Sequence, residues 1–426
     1  MTIEIINGKM LTPKGEWTNF KSIHIANGLI VGINRQGEKF DAHTTINARG
    51  CYVVPGLIDL QVSLPEPGYQ VKGTVESETL AAAAGGVTVL CCSPDTDPIN
   101  DSEAVTKLIE ELAGRSNHCH VLPLGALTRG LKGEHLSEYA ALKDAGCIAL
   151  SNGYHPIKNL AITKRCFEYA KTHDLSVFVN PIEPSLHLGA IHESHISTTI
   201  GLQAIPSLAE TIPVAQLIKL AEATDVHLHL SQLSAADSVS QVREAKAKGL
   251  NISADVAIHN LLYTSQQIES FDSLYHCMPP LRSESDRLAL LDGVRTGVID
   301  AITSAHQPHE DAAKKMPFAE TEPGISGIEH LIPMAVKMSD NNELPLACFF
   351  EAMTSRAAHV VKLDTPIIET GRAANLCIFD LSKKWRLSEE DMLSKGKNSP
   401  LMGQKIKGHV VTTIYEGRIS YMADHA

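Results

Sequence analysis

Apolar and polar residues alternate with period two at both ends of the chain. IEIINGKML, KSIHIANGLIVGIN and TTINARGCYVVPG fill the first 54 residues, broken by Asn-Gly pairs. Such alternation predicts strands with one buried face, and Asn-Gly favours tight turns because both residues tolerate positive φ. These stretches predict a small antiparallel sheet. From about Thr370 the alternation returns in ANLCIFDL and IKGHVVTTIYEGRISY, with a Glu-Gly turn. Between the ends, short apolar runs precede helical patterns. VTVLCCSPDTDP precedes DSEAVTKLIEELAGR, CHVLPLGAL precedes HLSEYAALKDAG, and CIALSNG precedes LAITKRCFEYAKTHD. LSVFVNP, VHLHLSQLS and VIDAITSAH continue the beat. Repeated strand–helix units predict a parallel sheet, and about eight of them suit a (β/α)8 barrel. The expected fold is therefore α/β. A TIM barrel spans 55–367, and a small β-sandwich is formed from both termini, 1–54 and 368–426.

Charge narrows the partners. Lys and Arg total 37 against 49 Asp and Glu, a net charge of −12. An acidic chain without a basic run is a poor ligand for nucleic acid or an anionic membrane. The N-terminal residues MTIEIINGKM lack the basic and apolar regions of a secretory signal, and no apolar run reaches the length of a membrane span. The nine cysteines are scattered and form no CxxC pair, so a zinc knuckle or redox motif is not supported. Reduced thiols in a cytoplasmic protein are the expectation.

In a barrel of this kind the active site lies at the C-terminal ends of the strands. At the first of these ends, residues 53–68 read VVPGLIDLQVSLPEPG. This resembles the first-strand motif PGLIDxHxHxREPG of the cyclic amidohydrolases, and of dihydroorotase in particular. SPDTDP at 93–98 is similar to a family MPNTxP, and PPLR at 279–282 to NPPLR. SAHQPH at 304–309 is similar to SDHAPH, PGISGIE at 323–329 to PxGIxGLE, and SPLMG at 399–403 to NTPFxG. The resemblance covers nearly the whole chain. It implies a barrel of the amidohydrolase type and, in active members, a zinc-dependent hydrolase of dihydroorotate.

The residues at the implied positions depart from that chemistry. The family's first His-x-His falls on Gln61 and Ser63, and its paired carboxylates on Asn152 and Gly153. Two further ligand histidines fall on Asn180 and Gln232, and the general-base aspartate on Ala305. Amides and hydroxyls are weak zinc ligands, and none of these groups accepts a proton from a bound water. The swaps keep size and hydrogen-bonding capacity, so neutral amides are expected to bond to one another and fill the space. Substrate positions have changed as well. The family's carboxylate-binding arginine is Pro65, and two asparagines are Asp95 and Met278, whereas His309 is retained. Arg282 is also retained, and a structural role in a loop turn is expected for it. No metal or other cofactor is expected, and no catalytic residue.

Other side chains near the expected mouth have ordinary explanations. His155, His227, His229, His259, His306 and His309 lie near that mouth, and His227 and His229, on one face of a strand, are expected to be hydrogen-bonded imidazoles. A displaced single-metal site built from them is the sharper alternative. His306 and His309 read as remnants of a substrate loop. Cys91 and Cys92 end a strand without a base beside them, which favours buried thiols over a nucleophile. The His-rich stretch 187–195 and the run 311–315 are expected to be solvated loops.

Two functional readings remain. One is a metal-dependent dihydroorotase, or another cyclic amide hydrolase, with an atypical site. The other is a non-catalytic chain whose barrel is kept for its surface. The second resembles the inactive dihydroorotase-like chains that some bacteria keep as partners of aspartate carbamoyltransferase. That resemblance implies a large hetero-oligomer, commonly six chains of each kind, working in pyrimidine biosynthesis. A non-enzymatic animal relative that acts on the cytoskeleton shares the ancestry, and the intact SPLMG motif favours the bacterial type.

Overall fold

Eight parallel strands carry the centre of the molecule. They are β1 (Leu57–Val62), β2 (Val87–Cys92), β3 (His120–Ala126), β4 (Ala149–Ser151), β5 (Ser176–Val179), β6 (Leu228–Leu230), β7 (Ile252–Ala257) and β8 (Ala301–Thr303). In this computed structural model, residues 2–12, 14–34 and 40–423 are described. Strand order follows chain order, and each strand pairs in parallel with the next. Every position of β1, β2 and β7 is buried, as expected for strands covered by helices outside and side chains inside.

The barrel closes by a different device. β8 meets β1 through one parallel bridge, Val62 to His306, with Ser63 N donating to His306 O at 2.9 Å. Below that bridge, the Asp59 carboxylate of β1 accepts from the Thr303 hydroxyl and, at 3.2 Å, from Ser304 N. One side chain thus holds the seam where backbone pairing is sparse.

The terminal segments form two sheets over a shared core. Thr2–Ile6 pairs antiparallel with Ser22–Ala26 and parallel with Thr44–Asn47. The second sheet joins Lys9–Leu11 and Tyr52–Pro55 to the C-terminal strands Leu376–Arg386, Lys405–Tyr415 and Arg418–Met422. Ile3, Ile5, Ile23 and Ile25 pack with Val53, Leu376, Ile378 and Ile414 between them. The simple antiparallel sheet expected at the N-terminus is therefore corrected to strands divided between two sheets, four of them joined in two parallel pairs. Asn27-Gly28 and Glu416-Gly417 do make hairpin turns, with φ of 52° and 81°, and of 48° and 70°. The residues after Asn7 instead pass to the other sheet.

Two loops above the strands are more ordered than their composition suggests. The stretch 187–195 enters a two-stranded ribbon, Ile191–His192 with Ala204–Ile205, and His192 is buried against Arg282 at 3.3 Å. Within 311–315, Lys314 is buried and donates to the carbonyls of His276 and Glu322 at 3.2 and 2.6 Å. Backbone carbonyls replace water around Lys314, so the expected solvated loops are corrected at His192 and Lys314, while Leu188, Asp311, Ala312 and Lys315 are exposed as expected.

Candidate functional site at the barrel mouth

The mouth is built from the residues that follow β1, β4, β5, β6 and β8. Asn180 Nδ2 donates to Gln232 Oε1 at 3.0 Å, and the Tyr154 hydroxyl donates to the same oxygen. Tyr154 also lies 3.1 Å from the Met278 carbonyl. Asn180 and Gln232, from the ends of β5 and β6, therefore meet directly. Gln61, Ser63, Ser93, Asp95, Tyr154 and Gln232 enclose a cavity of only about 10 Å³. That is at the threshold for a single water molecule. Ala305, with φ of 47°, and His306 complete its wall.

Asn152 is brought close to this group but faces another way. Its Oδ1 accepts from the Thr128 hydroxyl at 2.9 Å, and its Nδ2 donates to the carbonyls of Leu131 and His155 at 3.2 and 2.6 Å. It holds two loops together. Gly153 adopts φ of 55°, which favours a residue without a side chain, and its N–H bonds Ser151 Oγ. Pro65 lies in the loop after β1, where its carbonyl accepts from Tyr69 N at 2.7 Å.

The retained histidines are engaged by the protein. His306 Nε2 lies 2.8 Å from Glu78, and both side chains are fully buried. Burial raises the Glu78 carboxyl, but the hydrogen bond and charge of His306 outweigh it and hold the group below its usual range. His309 Nε2 donates to Pro323 O at 2.9 Å, while Lys72 Nζ reaches His309 Nδ1 at 3.2 Å and also pairs with Glu322. Burial, then the Lys72 charge, pushes His309 down to about 4. Arg282 is buried, with Nε on Ser234 Oγ at 2.6 Å and Nη2 3.4 Å from Glu210, a structural clamp between loops. Cys91 and Cys92 are buried, and burial pushes both thiols up.

Beneath the mouth runs a polar ladder that sequence reading did not assemble. Ser176 Oγ meets His227 Nδ1 at 2.8 Å, and His227 Nε2 meets Ser253 Oγ at 2.9 Å. Ser253 Oγ also meets His229 Nδ1 at 2.8 Å, and His229 Nε2 reaches Asp255 at 2.8 Å. Asp255 then accepts from Gln232 N at 2.8 Å. His227 and His229 do share one face, as their spacing predicts. Burial, then the proximity of His229, pushes His227 down to about 4. His259 is buried, neither ring nitrogen has a partner among the described residues, and burial pushes it down to about 4. His155 is exposed at the rim. Among the described residues, no three His, Cys, Asp or Glu side chains converge where they could hold a metal ion.

A family model described as dihydro-orotase-like matches residues 50–238. A dihydroorotase-like protein of Pseudomonas aeruginosa is 42% identical over 99% of this chain and 100% of its own length. The chain belongs to the dihydroorotase-like family. A dihydroorotase of Syntrophotalea carbinolica is 36% identical over 99% of both chains. In fold, this dihydroorotase-like chain is similar to the L-hydantoinase of Arthrobacter aurescens. That match has a TM-score of 0.86 at 20% identity and covers 98% of this chain and 95% of the other.

Zinc, which the resemblance implies for active dihydroorotases, does not fit the donors of this dihydroorotase-like chain. Zinc sites need three or four convergent nitrogen, thiolate or carboxylate ligands. Here Asn180 Nδ2 and Gln232 Oε1 bond to each other, Asn152 bonds two loops, Gly153 and Ala305 offer no side-chain donor, and the amide oxygen left on Asn180 is a weak, neutral ligand. Tyr154, Asp255 and Glu78 are the residues that sequence reading missed. Tyr154 directly follows the Asn152-Gly153 pair, and a phenol beside a vacated ligand position was the signal available.

Proposed function

We propose that this chain is a non-catalytic dihydroorotase homologue, kept in the cytoplasm as an assembly subunit of aspartate carbamoyltransferase in de novo pyrimidine biosynthesis. One observation carries the non-catalytic half. Two of the former ligand positions, Asn180 and Gln232, bond to each other and Gln232 to Tyr154, and the cavity that Gln61, Ser63 and Gln232 line holds about 10 Å³. A cyclic amide such as dihydroorotate needs far more room than one water, and hydrolysis needs a group that activates water. Asp95 at the cavity wall is an anion facing the place where an anionic substrate would sit. The partner assignment rests on the resemblance to inactive bacterial chains of this family. It is supported by a barrel that keeps its closure and its buried ladder after the mouth has filled.

The test mixes this chain with the aspartate carbamoyltransferase chain of the same organism and measures mass by light scattering. One large co-eluting species, with carbamoyltransferase activity that depends on this chain, is expected. Two separate peaks would remove the partner. Stoichiometric zinc after metal-replete purification, together with dihydroorotate hydrolysis above background, would remove the non-catalytic reading.

A further inference from the structure

A wide opening lies beside the mouth. A cleft of about 430 Å³ runs between the helices Leu160–Thr172 and Leu208–Thr224, outside β4 and β5. Its volume falls in the range of small-molecule sites, whereas the former mouth holds about 10 Å³.

The cleft is held open by specific contacts. Pro213 stands inside the second helix and has no N–H to give the carbonyl four residues earlier. That carbonyl, of Ala209, accepts instead from Glu183 N at 2.8 Å. The loop carrying Glu183 is thereby pinned to the helix and forms one wall. The opposite wall is the loop that Asn152 fixes through the carbonyls of Leu131 and His155. Phe167, Leu217, Ile157 and Ile182 line the space between. Rigid walls spare a ligand the cost of ordering them.

Two acceptors stand at the floor and wall of the cleft, Asn180 and Glu183. Asn180 lies in the floor with 5% of its surface exposed, and its Oδ1 has no partner among the described residues. A buried carbonyl without a donor is costly, so a donor on a bound molecule is favoured there. Glu183 adds a carboxylate to the wall, and hydrogen bonds from the Ser185 hydroxyl and N–H hold it below its usual range, ionised at neutral pH. His155 and Lys158 stand exposed at the rim, where water and salt screen them.

We propose that this cleft binds a small organic amine, with its apolar body between Phe167 and Leu217 and its ammonium donating to Asn180 Oδ1 and Glu183. The cleft adjoins the mouth, sharing Asn152, Gly153 and Asn180 with it, and its binding does not depend on the assembly role.

Calorimetric titration with 2-phenylethylamine tests the assignment, with 3-phenylpropionate as the anion of matching shape. One amine is expected to bind per chain, and the acid to bind at least about ten-fold more weakly, because the buried floor offers it no donor. Gln216→Trp, at a half-buried lining position, fills the cleft and is expected to abolish binding while the thermal melt stays unchanged. Glu183→Gln keeps the shape and is expected to weaken the amine about five-fold, the scale of a solvent-accessible ion pair. No heat with the wild-type chain, equal binding of amine and acid, or binding that survives both variants would overturn the proposal.

Discussion

The rim of the barrel and its interior have kept opposite kinds of residue. At the rim, every position where the family resemblance implies a metal ligand or base now carries a neutral side chain or none. One layer below, Asp59, Asp255 and His229 stand with no exposure at all. The difference lies in where each group finds its partner. Asp255 has His229 Nε2 and Gln232 N, and Asp59 has Thr303 and Ser304, all supplied by this chain. The rim ligands of an active relative answer to an ion. Without that ion, clustered carboxylates would repel one another and lie unpaired, at several kcal/mol each in a dry site. Chemistry that depends on a guest is lost with the guest, and chemistry satisfied within the chain endures.

Three variants probe this contrast. The largest effect is expected for Asp255→Ala. It strands a buried imidazole and a backbone N–H together, and a loss of about 3 kcal/mol or more in urea unfolding follows. A loss below about 1 kcal/mol would mean that the ladder is ornamental. Lys314→Met comes next. Burial pushes the Lys314 ammonium down to about 8, so the unfolded chain binds more protons than the folded one between that value and the ordinary 10.5. Stability therefore rises with pH across that window, and below about 8 the burial cost is fully present. The methionine variant is expected to unfold at a higher temperature at pH 7 and to lose part of the rise above pH 8. An unchanged pH profile would show that the loop hydrates its lysine. The smallest effect is expected for Gln61→His with Ser63→His. Dihydroorotate hydrolysis should stay at background in zinc-replete buffer, since no carboxylate returns with the histidines. Measurable turnover would break the assignment of the rim.

How far the sequence reading carried follows the range of the interactions. Strands such as VTVLCC, apolar throughout and bounded by turn residues, are legible because their burial is written in consecutive positions. The vacated rim was legible because each lost group sits inside a recognisable local motif. Tyr154 was not, since its partners Gln232 and Met278 lie 78 and 124 residues away. The Glu78–His306 pair spans 228 residues and has no local signature. The buried Lys314 was misread for the same reason: DAAKK looks solvated until the carbonyls of His276 and Glu322 are placed around it. The first strands were assigned to one antiparallel sheet because alternation reports which face is buried and not which neighbour is paired.

The Asp59 clasp bears on how the chain is made as well as how it stands. Its partner Thr303 lies 244 residues downstream, so during synthesis β1 is an exposed sheet edge for most of the chain's emergence. An inward-facing charge on such an edge opposes wrongful pairing with other chains. The same carboxylate that later joins the first strand to the last is, until then, the guard that keeps the ring from being finished by a stranger.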